Sequence, residues 1–63
     1  MPLIHVAWFP RPEEKKTEFA RAITRVCEEL LGARPEDVEI LFEAIEPANW
    51  FVAGQSYASP SDG

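Results

Sequence analysis

The sequence has a single cysteine, Cys27, and a single histidine, His5, among its 63 residues. One cysteine excludes an internal disulfide, and one Cys with one His leaves any zinc site dependent on carboxylates or on a second subunit. Basic residues are also scarce: six Lys and Arg stand against eleven Asp and Glu, a net charge of −5. That balance argues against nucleic acid, whose phosphates call for a basic stripe. No apolar run approaches the roughly 20 residues of a membrane-spanning helix. The opening Met1-Pro2-Leu3-Ile4-His5 has no basic segment of the kind that begins a secretory signal. The expected setting is cytoplasmic, with no nucleic-acid or membrane partner.

What is present fits one small folded domain over residues 1–63, with 46% apolar residues. A domain of about 60 residues hides only about 60% of its unfolded surface, so chains of this size lean on disulfides, metals or partner subunits. With the first two wanting, oligomerisation is the stabiliser left.

Leu3 to Phe9 reads as a strand with Ile4, Val6 and Trp8 on one face and Leu3, His5, Ala7 and Phe9 on the other. Both faces are largely apolar. Pro10 and Pro12 stop the strand, and Pro12 has the fixed φ suited to a first helical position, with Arg11 near the cap. The spacing predicts a helix from about Pro12 to Leu31. Phe19, Ile23, Val26 and Leu30 form its apolar stripe, Ala22, Cys27 and Leu31 widen it, and Gly32 stops it. After a short turn at Arg34-Pro35-Glu36-Asp37, Val38 to Ile45 alternates again. Pro47-Ala48-Asn49 is a second turn, Trp50 to Gln55 a short hairpin or edge strand, and residues 56–63 a mobile polar tail unless a neighbour holds it. The fold class is α/β (α+β): a β-α-β protomer with two parallel strands, one main helix and a short C-terminal hairpin. One helix covers one face of such a sheet, so the other face is expected to pack against another subunit.

Taken singly, the polar residues point to little chemistry. His5 reads as a packed or edge histidine and Cys27 as a buried, unreactive thiol on the helix stripe. Glu39 and Glu43 share a strand face as an acid/base pair would, but without supporting partners they read as a solvated or interface edge. Trp8 and Trp50 suit a pocket wall or a core. Pro2 differs because of its position. Methionine before proline is a good substrate for methionine aminopeptidase, whose action would leave a prolyl secondary amine at the head of a strand. An ordinary α-amino group titrates near about 8. A secondary amine is more basic, and burial with a nearby cation such as Arg11 would bring it down towards a base poised near neutrality. With Met1 retained, Pro2 is an amide and has no basic nitrogen.

The ordered pattern of MPLIHV, Arg11 before PEEKK, ARAIT, LLG, PEDVEILF and Asn49-Trp50 followed by Gly54 resembles the 4-oxalocrotonate tautomerase family, from Met1 to about Gly54. The resemblance implies a β-α-β protomer assembled as a homo-oligomer, from dimer to hexamer, with a hetero-oligomer as the variant. It implies keto–enol proton transfer on a small 2-oxo or dienol carboxylic acid, without a metal or organic cofactor. In that reading Pro2 is the general acid/base, Arg11 binds the substrate carboxylate, and Trp50 dries the pocket wall. Three positions depart from the pattern. Glu39 stands where the family has a second arginine, Phe51 where a glycine follows the pocket aromatic, and Val52 where the dehalogenase branch has a water-activating glutamate. Glu39 reverses the charge where negative charge develops in the reaction, so a dianionic substrate is expected to bind and react poorly unless Arg34 or a different subunit compensates. The alternatives are therefore a non-catalytic or half-catalytic subunit, or a hydratase or dehalogenase-type enzyme in which Glu39 activates water.

Overall fold

The computed structural model describes residues 2–58. β1 (Leu3–Trp8) leads into α1 (Glu13–Leu31), which returns the chain to β2 (Glu39–Ala44). The two strands pair in parallel, with Leu3 opposite Glu39, Val6 opposite Phe42 and Trp8 opposite Ala44. Beyond β2 a 3₁₀ turn over Pro47–Asn49 precedes a hairpin of β3 (Phe51–Val52) and β4 (Gln55–Ser56). The β-α-β order, the parallel pair and the C-terminal hairpin agree with the sequence reading.

Local chemistry accounts for each boundary. Pro10 and Pro12 lack the N–H that a longer β1 would need. Pro12 is itself the helix cap rather than the first helical residue expected from its φ. Its ψ of 150° is extended, and its carbonyl accepts from the Lys15 and Lys16 N–H groups at 3.0 and 3.2 Å. It has no capping side chain, so Glu13 and Glu14 in the first turn supply the negative charge that this end favours. At the other end Gly32 adopts the left-handed conformation, and its N–H donates to the Glu28 carbonyl at 3.1 Å.

The strand faces divide by burial. Ile4, Val6, Trp8, Ile40 and Phe42 are half-buried beneath α1, while Leu3, His5, Ala7, Glu39, Leu41 and Glu43 are exposed on the opposite face. The helix seats itself on Ala20, Ile23 and Cys27, and Cys27, at 6% exposure, is the one buried hydrophobic residue among those described. Most of the expected stripe is left outside: Phe19, Val26 and Leu30 are exposed, as is Leu31. The sheet has two strands only, too narrow to cover a stripe that wide.

The segment expected to be a mobile tail is tied down as far as it is described. Ser56 pairs with Phe51, its hydroxyl donates to the Pro47 carbonyl at 3.2 Å, and Tyr57 stacks on Trp50 at 5.9 Å. Residues 59–63 lie outside the described part.

Candidate functional site

Pro2 stands immediately before β1, half-buried. Its carbonyl accepts the Glu39 N–H at 3.0 Å, which fixes the residue at the head of the parallel ladder. Because side chains alternate along a strand, position 2 shares the helix side with Ile4 and Val6. There Pro2 opens on a cavity of about 580 Å³ walled by Leu31, Gly32, Ala33, Arg34 and Asp37. A crossover helix runs against its strands, so its C-terminal end and the link into β2 come back to where β1 began.

Arg34 is the cation in that wall. Its Nε donates to Asp37 Oδ2 at 3.0 Å, and Glu36 lies 3.9 Å from the same nitrogen. The Asp37 N–H donates in turn to the Arg34 carbonyl at 2.9 Å. Backbone and side chain thus join the same two residues across the 3₁₀ turn Pro35–Asp37. Sequence reasoning reached Pro2, and named Arg34 only as a residue that could compensate for Glu39, without setting it beside Pro2. The signal was available in the β-α-β order, which sends the residues after α1 to the start of β1.

Arg11 lies at the far end of the strand. Its guanidinium carbon is 5.6 Å from the centroid of the Trp8 ring, and both residues line a groove along α1 with Pro12 and Phe19. An extended chain from Pro2 to Trp8 covers about 20 Å, so Arg11 and Pro2 of one chain do not meet. Trp50 belongs to the far end as well. Its ring is 4.6 Å from that of Phe9 and lies nearly parallel to Tyr57.

Glu39 neighbours Pro2 along the ladder but pairs with Leu3 on the face α1 leaves open, across the sheet from the cavity. Glu43, on the same face, approaches His5 Nε2 at 3.1 Å, with both side chains more than half exposed. The sheet therefore gives Glu43 a histidine partner rather than Glu39. Among the described residues no three of His, Cys, Asp and Glu gather as metal ligands would, and no helix is long and apolar enough to cross a membrane.

One chain thus carries two separate groups of candidate residues, one at each end of β1. The head of β1 has Pro2, an open cavity and a tethered arginine. The end of β1 has a second arginine and an aromatic cluster of Phe9, Trp50 and Tyr57.

Comparison with known proteins places the chain in a family. Residues 2–59 match the family model described as "Tautomerase enzyme". A Ralstonia nicotianae protein named "Probable tautomerase RSp1151" is 34% identical over 58 residues, covering 90% of this chain and 89% of that protein. The crystal structure of TomN, a 4-oxalocrotonate tautomerase homologue in the tomaymycin biosynthetic pathway, superposes with a TM-score of 0.84 at 34% identity, covering 90% of this chain and 89% of TomN. The homologue TTHB242 superposes at 0.88 with 28% identity, covering 95% of this chain and 97% of its own.

Proposed function

Since the chain belongs to the tautomerase family, we propose that it is an isomerase moving a proton between carbon and oxygen of a small 2-oxo carboxylic acid, with Pro2 as general acid/base. The observation that supports this reading is the position of Pro2: immediately before the ladder, backbone anchored by Glu39, ring side open to a cavity. Once Met1 is removed, the prolyl nitrogen is a secondary amine with a lone pair. It takes a proton from C3 of the substrate; the C–H electron pair becomes the C2–C3 double bond, and the carbonyl π pair moves to oxygen, which takes the proton back from the prolyl nitrogen. The reverse sequence returns the ketone. Neither direction consumes an oxidant, a reductant or water.

Within one chain the far group cannot serve this chemistry, because the length of β1 lies between. In an oligomer, Arg11 and Trp50 of a neighbouring copy complete the cavity of Pro2. The exposed apolar face of the sheet, with Leu3 and Leu41, is the surface through which copies associate.

The test joins mass and exchange. Intact mass of the untagged protein is expected to correspond to Pro2 as first residue. Such protein in D2O is expected to exchange the methyl protons of pyruvate, followed by proton NMR, and Pro2→Ala is expected to lower that rate about 10²- to 10⁴-fold, the usual worth of a positioned general base. A protein that retains Met1 yet exchanges as fast, or a Pro2→Ala variant that keeps the rate, overturns the reading.

A further inference from the structure

We propose that Arg34 is a carboxylate-binding residue of the Pro2 cavity, so that the substrate is held through its own carboxylate by the chain that supplies the base. The inference rests on the reading of Pro2 given above.

Two observations carry it. Arg34 lines the same cavity as Pro2, whereas Arg11 of that chain is a strand length away against Trp8. Arg34 is also oriented. Its Nε is engaged by Asp37 at 3.0 Å, while the Asp37 N–H holds the Arg34 carbonyl. Among the described residues the Nε bond is the one side-chain hydrogen bond Arg34 makes, so the terminal nitrogens are left for a ligand. A guanidinium fixed at one edge presents the planar pair of donors that a carboxylate accepts. A 2-oxo acid is small enough to face both residues at once, because its carboxylate and its enolisable carbon flank a single carbonyl carbon. A cation at the carboxylate also stabilises the charge that accumulates on the neighbouring oxygen when C3 is deprotonated. With Glu39 across the sheet, the carboxylate at that position does not oppose this role from the same chain.

The competing account is that Arg34 and Asp37 only close the turn between α1 and β2. The two differ in what they predict for charged and neutral substrates. The Arg34 side chain is 71% exposed, so its effect belongs at the lower end of charge-assisted contacts, about tenfold. Exchange in D2O is measured with pyruvate and with pyruvamide, which has the same ketone and methyl group but no charge. Arg34→Ala, with Arg34→Gln as the variant that retains the side-chain stem, is expected to lower kcat/KM for pyruvate about tenfold and to leave pyruvamide within about twofold. Arg34→Lys, which keeps the charge but loses the fork, is expected to fall between. Equal losses with both substrates, or no loss with pyruvate, overturn the proposal.

A direct titration separates this result from the fate of the Pro2 reading. Pyruvate is titrated into ¹⁵N-labelled protein, and the shifts of the Ala33 and Asp37 amides are followed. A Kd weakened about tenfold in Arg34→Gln supports carboxylate binding even if the wild type exchanges no faster than Pro2→Ala, in which case only the function fails. An unchanged Kd, or no binding by the wild type, overturns Arg34 whatever the exchange assay gives.

Discussion

Gly32 ends α1 at φ 67° and ψ 22°, and a Cβ built there meets nothing within 4 Å. The cost of a side chain at this position is therefore the backbone strain of the left-handed region and not a clash. Gly32→Ala is expected to lose about 1 kcal/mol of stability, read as a lower urea midpoint at unchanged slope. An unaltered midpoint would mean that the helix does not end this way in solution. This stop was legible in the sequence, since Gly after Leu30-Leu31 has few other uses. So was Cys27, whose burial follows from its place on the helix stripe. The partner of Glu43 was not legible: His5 and Glu43 are distant in sequence and meet diagonally only because the strands are parallel in one register.

Helix and strands were each visible in periodicity, and their limits moved by a residue or so. Which side of α1 faces the sheet was less visible. The apolar residues of the helix form a stripe wider than two strands can cover, so Ile23 and Cys27 are taken while Val26 and Leu30 stay exposed. The hairpin shows a local mismatch of another kind. Ala53 and Gly54 both have positive φ, 54° and 78°, as the two-residue turn between twisted strands demands. Alanine tolerates that conformation poorly and asparagine better. Ala53→Asn is expected to stabilise the protein by about 0.5 to 1 kcal/mol, seen as a rise of several degrees in Tm. No rise would place the hairpin outside the cooperative unit.

At the scale of the molecule, a core with one buried hydrophobic residue among those described is small even for a chain of this length. The exposed set includes Leu3 and Leu41 on the open sheet face, with Phe19, Val26 and Leu30 along the helix flank. Self-association is the economical way to cover surfaces of this kind. Leu41→Glu sets a charge among Leu3, His5 and Glu43 and is expected to yield a smaller species in sedimentation, with a Tm that is lower and more dependent on concentration. On the proposed oligomeric reading exchange activity should fall with it, because Arg11 and Trp50 of the same chain lie a strand length from Pro2. A Leu41→Glu protein of wild-type size would show that copies meet elsewhere.

The sequence by itself determined the β-α-β order, because hydrophobic period, the prolines and Gly32 act over a few residues at a time. It also singled out Pro2, whose chemistry depends on being next to the initiating methionine. Tertiary structure alone decided what surrounds Pro2. Parallel pairing sent Glu39 to the opposite face, and the returning helix brought Arg34 and Asp37 into the cavity. The length of β1 set Arg11 and Trp50 apart from it. These are consequences of register and crossover direction, which join residues thirty or more positions apart and leave no local trace.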